Sequence, residues 1–314
     1  MAKIIDRSGV ESLIVDTYAN EIISGAVAES VVLSQFTRLP NMTSKQHVMP
    51  VLSLLPQAYF VDGDTGLKQT TNAEWKDRKI VAEEIAVIVP IPEAVLDDAD
   101  YDVFAEITPR VVEAFGKKID GAVLFGADKP TSWRESLVDS AISAGNVVTE
   151  SGDLFLDIFG EDGVISKVEE DGFIPNGYVS SVRMRGKLRG LRDDNKNPIF
   201  TQNLRESSAP YALDGSPIHF AMNGAFDVSK AELIAGDFSQ AVYSIRQDMT
   251  VKFLDQAVIS DNDGKILYNL AQQDMVALRF VMRLGWEVTN GINAITSDYD
   301  KQFPFSVLQP KVGE

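Results

Sequence analysis

The stretch YDVFAEITPRVVEAFGKKIDGAVLF, residues 101 to 125, constrains the fold of this chain more than any other. Phe104, Ile107, Val111, Phe115, Ile119 and Ala122 recur in steps of three and four. That spacing predicts a helix with one apolar stripe about six turns long. Pro109 sits inside the pattern, so either Thr108 is an N-cap with Pro109 in the first turn or the helix kinks there. Gly126 is the expected stop. A helix this long and this one-sided needs a sheet or a second helix along its length. Asp97, Asp98, Asp100 and Asp102 precede it in LDDADYD. They are read as charge complementing the start of the helix rather than as a cation site, because the spacing is not that of an EF-hand loop.

A second stretch raises the opposite problem. VDGDTGLKQTTNAEW, residues 61 to 75, is polar and lies between QAYFV and KIVAEEIAVIV. Both flanks are rich in β-branched and aromatic residues and predict the arms of a long hairpin. Such a hairpin is marginal alone in water, so it needs something to lie against. The segment before it, FTRLPNMTSKQHVMPVLSLLP, predicts extended, irregular chain. Residues 10 to 35 predict one or two amphipathic helices.

Further on, GYVSSVRMRGKLRGLRD predicts a strand, a turn and a short basic helix, and DNKNPIFTQNLRESSAPYALDGSPIHFA a long loop. AELIAGDFSQAVYSIRQDMTVKFLDQ predicts strand, a turn at Gly236-Asp237, then strand again. DMVALRFVMRLGWEVTNGINAITSD alternates as a closing strand, with Val276, Leu278, Phe280 and Met282 on one face. The fold class is α+β, with no repeat of fixed period.

Function is narrowed mainly by exclusion. The 314 residues hold no cysteine, which removes disulfides, thiolate metal sites and a cysteine nucleophile. No apolar run approaches the roughly 18–20 residues of a membrane span. His47 and His219 are the only histidines; both fall in loop-like, proline-adjacent segments with no catalytic or metal spacing around them. Glu83 and Glu84, adjacent on a strand, point to opposite faces and cannot act together. No catalytic set, metal site or cofactor is expected. The net charge of −17, from 29 basic and 46 acidic residues, argues against a DNA-reading role but not against containing nucleic acid. Arg183, Arg185, Lys187, Arg189 and Arg192 form a basic cluster in this acidic chain. On a helix, Arg185, Arg189 and Arg192 would make one ridge; it could meet nucleic acid or the acidic surface of an identical neighbour, and the neighbour is the more natural partner.

The run KIVAEEIAVIVPIPEAVLDDADYDVFAEITPRVVEAFGKKIDGAVLFG resembles the segment linking the extended loop to the spine helix in major capsid proteins of tailed phages, the family with the Hong Kong 97-type fold. LDGSPIHF followed by IAGDFSQAVYSIRQDMTV, and the ending MVALRFVMRLGWEVTNGINAI, are similar to later segments of that family, in the same order. The resemblance implies an N-terminal arm (1–49), an extended hairpin loop (50–92), a peripheral domain with the spine helix (93–127 and 271–314) and an axial domain (128–270). It implies self-assembly through pentamers and hexamers into an icosahedral head around double-stranded DNA. Portal, scaffolding and decoration proteins would be further partners, with assembly in the host cytoplasm and a final place in the virion. No membrane is involved.

Within that resemblance, Leu67 and Trp75 are expected as apolar anchors of the loop on the next subunit, and Arg185 and Arg189 as charge partners between subunits. Some members crosslink through a loop lysine. Lys68 lies in that loop and is a further candidate for contact between subunits, but the asparagine and glutamate partners have no motif here, so a solvated lysine is favoured over a crosslinking one. The arm begins within about ten residues of Met1, so either a scaffolding segment has been removed or a separate scaffolding protein serves. An encapsulin-like nanocompartment shell and, less favoured, a soluble metal-dependent enzyme using LDDADYD are the alternatives.

Overall fold

The computed structural model describes residues 26, 29–56, 58, 60, 70–98, 103–192, 212–261, 263–293, 295 and 302–311, without the side chains of 96–98, 104, 105 and 247–249. Most of the helical segment expected over 10–35 lies outside these residues, as do Leu67 and Lys68. Residues 31–35 form turns that lead into β1 (Thr37–Arg38). β2 (Gln46–Leu54) then pairs antiparallel with β3 (Glu74–Val81). The described first arm of the hairpin is therefore 46–54, where irregular chain was expected; most of the QAYFV segment lies outside the described residues. Pro50 obscured β2 in the sequence, yet a two-stranded ribbon has free edges where a missing N–H costs no ladder bond. KIVAEEIAVIV is also not one strand. It breaks at Ala82, and β4 (Glu83–Pro92) leaves the ribbon for another sheet.

After α1 (Glu93–Asp98) comes α2 (Val103–Phe125), which carries Pro109 inside it and ends at Gly126. Thr108 is thus a buried helical residue rather than a cap. α3 (Leu137–Ala144) starts at Ser136, whose Oγ accepts from the Asp139 N–H. β5 (Val147–Thr149), α4 (Leu154–Phe159), α5 (Val164–Glu170), β6 (Gly177–Ser181) and the short basic α6 (Met184–Gly190) follow. β7 (Ala212–Leu213) and β8 (Ser216–Ala221) close a tight hairpin through Asp214 and Gly215, at φ of 46° and 76°. Two positive φ values suit the twist of a two-residue hairpin turn. A loop was expected over this whole region; its Asp-Gly pair was the hairpin signal.

The remaining elements are β9 (Leu233–Gly236), β10 (Ala241–Leu254), β11 (Val258–Ser260), β12 (Ile266–Asn269), β13 (Met275–Val288) and β14 (Phe305–Gln309). One sheet has the order β1-β10-β13-β4 and another the order β5-β14-β9-β6-β8-β7. Sheet membership does not follow the boundary expected at 270 and 271. β10 joins β13 and β4, while β14 joins the six-stranded sheet between β5 and β9. These pairings span long sequence separations, which local patterns do not encode.

α2 lies on one face of the four-stranded sheet. Its Val111, Val112 and Phe115 pack with Val251, Leu278 and Phe280. The even positions of β13 named in the sequence do share this face. A larger core joins both sheets through Phe36, Trp133, Phe238, Trp286 and Phe305. Trp133 meets Trp286 edge-on at 6.4 Å, and Phe238 meets Phe305 edge-on at 5.2 Å, geometries that favour the aromatic quadrupoles.

Candidate assembly surfaces

The β2–β3 ribbon forms no ladder with either large sheet. Its register sets Val48 opposite Lys79, Pro50 opposite Asp77 and Leu52 opposite Trp75. Side chains alternate along a strand, so these six share one face, and Met49, Arg78 and Ile80 belong to the other. The second face anchors the ribbon at its base, where Met49 and Ile80 pack with Met42, Ala82 and Val242. Trp133 Nε1 donates to the Val81 carbonyl at 3.0 Å. Gly285 of β13 lies directly beneath. A Cβ there would sit 2.5 Å from the Val81 oxygen and 2.7 Å from Ile80 Cγ2. Only glycine lets the ribbon cross so close to the sheet.

Among the described residues the first face has no comparable cover. Trp75 is 66% exposed and Val48 46%. An apolar row on a ribbon that protrudes from the core is a surface built to be buried by something else.

Where β3 gives way to β4, Ser132 Oγ donates to Glu83 at 2.7 Å and Lys45 pairs with it at 3.3 Å. The Ser132 hydrogen bond, with help from Lys45, holds the Glu83 carboxyl below its ordinary pKa. Glu84 turns the other way and takes both Nε and an NH2 group of Arg283, at 3.1 and 3.0 Å.

A second anchor holds the segment before β1. Asp120 of α2 is fully buried. It accepts from Ser30 Oγ at 2.6 Å, from the N–H groups of Val31 and Val32 at 3.1 and 3.2 Å, and from Asn223 Nδ2 at 2.6 Å. One carboxylate thus ties the incoming chain, the long helix and the loop after β8 together. Burial raises its pKa, with those four donors pulling the other way.

The basic cluster divides. Lys187 is already paired within the chain, with Glu150 and Glu232 at 2.7 and 2.6 Å. Arg185 is half-buried with its guanidinium 5.7 Å from the centre of the Phe220 ring. Arg189 and Arg192 are exposed and bond backbone oxygens of the same short helix region. Asp97 and Asp98 end α1 rather than begin α2. Among the described residues no group of three or more carboxylates or imidazoles is placed to hold a metal.

Both histidines stand in strands, His47 in β2 and His219 in β8, not in the loops expected. Burial lowers the pKa of His219 from its ordinary 6.5. The fold therefore favours the neutral ring. Its contribution to stability is complete above the ordinary value and is lost as pH falls below it, through the lowered folded-state pKa. His219→Gln is expected to flatten the fall of the urea midpoint over about pH 7 to 5; an unchanged slope would contradict this.

Three features escaped the sequence reading: Asp120, Gly285, and the ribbon's exposed face beyond Trp75. Asp120 could have been noticed, since it follows Val112 and Gly116 at steps of four and borders the apolar stripe. Nothing local marks Gly285.

The chain matches the model of the phage capsid family over residues 11–296. It is 29% identical over 242 residues to the major capsid protein of Staphylococcus phage 80alpha, covering 75% of this chain and 69% of that one. A solved chain from Mycobacterium phage Cain superposes with a TM-score of 0.78 at 35% identity, covering 91% of each. One from Microbacterium phage Oxtober96 superposes at 0.77 with 35% identity, covering 90% of this chain and 91% of that. The chain belongs to the phage capsid family, as a major capsid protein of a tailed phage.

Proposed function

We propose that copies of this chain assemble through pentamers and hexamers into an icosahedral head of the Hong Kong 97 type, enclosing double-stranded DNA. The observation that carries this reading is the β2–β3 ribbon, anchored at its base by Ile80 over Gly285 and bare on the face that holds Val48 and Trp75. In the head this ribbon is the extended loop and lies on the next subunit, with Trp75 and Leu67 as its apolar anchors. α2 and the four-stranded sheet make the peripheral domain. The six-stranded sheet with α3 to α6 makes the axial domain, and the chain before β1 is the arm. Arg189, and Arg185 beside it, meet carboxylates of a neighbour. Lys68 of the same loop is a further candidate for contact between subunits, as a solvated lysine rather than a crosslinking one.

The acidic balance of 46 against 29 suits a shell that lets packaged DNA slide without holding it. Portal, scaffolding and decoration proteins complete the particle, which forms in the host cytoplasm and becomes part of the virion. No catalytic role is proposed. The nanocompartment shell and the metal-dependent enzyme are less well supported than a phage head, given relatives that are phage capsid proteins.

Trp75 offers the test. Trp133 and Trp286 are 6% and 2% exposed, against 66% for Trp75, so a change in tryptophan emission on assembly reports mainly on the ribbon. Emission is expected to shift to shorter wavelength as particles form, and Trp75→Phe should remove most of the shift. A shift that survives Trp75→Phe would count against burial of this face between copies.

A further inference from the structure

Alternation along β10, β13 and β4 sends one set of side chains into α2 and the other to the opposite face of the four-stranded sheet. On that opposite face the register sets Lys252, Arg279 and Ile88 in one row and Arg246, Arg283 and Glu84 in another. Each row brings two cations directly opposite one another across a strand pair, an arrangement that destabilises a sheet. In the second row Glu84 answers Arg283 at 3.0 Å. The first row has no such answer. Among the described residues Lys252 and Arg279 enter no ion pair, and Arg279 Nε is buried without a hydrogen-bond partner. Lys252 is exposed, and Ile88 beside Arg279 is 41% exposed.

We propose that this face is a docking surface for a second copy of the chain, whose carboxylates neutralise the Lys252–Arg279 pair. Charge complementarity carries the assignment: the chain holds 46 acidic residues against 29 basic, so another copy presents mostly negative surface. Ile88 favours a protein partner over a nucleic acid, because a phosphate backbone gains nothing by covering an isoleucine. The face is continuous with the ground already covered by the ribbon base, since Val242 and Gly285, nearer that end, lie under Ile80.

The proposal rests on the assembly reading and predicts effects of opposite sign from one substitution. K252E sets opposite charges across the pair, so the melting midpoint of the unassembled chain should rise. The same change turns attraction for a neighbour's carboxylates into repulsion, so the concentration needed for assembly at low salt should increase by about tenfold or more. Light scattering against concentration gives the second quantity and thermal melting the first. R279E should act in the same two directions.

Assembly of K252E at the wild-type concentration would overturn the proposal. So would a melting midpoint that falls together with assembly, which would mark Lys252 as merely structural. Unchanged assembly with weakened binding to a short DNA duplex would assign the face to nucleic acid instead. A wild-type chain that never assembles would count against the assembly reading itself, before any variant is compared.

Discussion

Asp120→Ala is expected to destabilise the unassembled chain by about 4 kcal/mol, because it strands several buried donors at once. The Ser30 hydroxyl, the Val31 and Val32 N–H groups and Asn223 Nδ2 all point at this one carboxylate. A buried donor left without a partner costs about 1–3 kcal/mol, and water entering the gap recovers part of the sum. Ser30→Ala removes one of these bonds and the oxygen that accepts from the Leu33 N–H at 3.1 Å, so it should cost about 1–2 kcal/mol. Asp120→Asn should fall between the two: it keeps one acceptor oxygen but aims an NH2 at groups that are themselves donors. Urea unfolding of the three variants gives the order. Equal effects from Ser30→Ala and Asp120→Ala would mean that the carboxylate is not the centre of the network. The loss should also appear in assembly, since the segment that Asp120 holds leads directly into β1.

Gly285→Val is the second large effect, and it separates folding from assembly. The added Cβ would meet the Val81 oxygen and Ile80 Cγ2 well inside contact distance. Overpacking of this kind costs about 1–3 kcal/mol, which a core of this size can absorb. The consequence for assembly is greater. β2 runs nine residues from its base, about 30 Å at the rise of a strand, so a small tilt where Ile80 crosses the sheet becomes a large displacement at the far end. Gly285→Val is expected to remain folded by circular dichroism and to lose closed particles by electron microscopy. Normal shells from this variant would show that the path of the ribbon is not set at Gly285.

Some of this was legible in the sequence. The stripe from Ile107 to Ala122 marked the long helix because packing on a sheet imposes a period of 3.6 on the residues that touch it. The alternation from Val276 to Met282 marked β13 for the corresponding reason. That the ribbon is an extension in need of a partner is legible, but the strand over 46–54 is not. β2 carries Pro50 and one face that finds no cover among the described residues, so neither propensity nor alternation marks it as a strand. The break at Ala82 was hidden because residues on both sides are equally strand-like. It is set by where the chain must turn to leave the ribbon and join β13. The buried role of Asp120 depends on residues 90 and 103 positions away, and the need for glycine at 285 on a strand 204 residues before it. Such contacts follow from topology, not from local pattern.

The central claim is that the exposed face of the ribbon exists to be covered by another copy. The most direct measurement is electron microscopy, to side-chain detail, of particles formed by the full chain, co-expressed with a scaffolding protein where the chain alone forms none. The predicted result is closed shells of pentamers and hexamers in which Val48 and Trp75 of each copy are buried against its neighbour. Shells in which that face remains bare to solvent, or a chain that stays monomeric with every scaffolding protein tried, would contradict it.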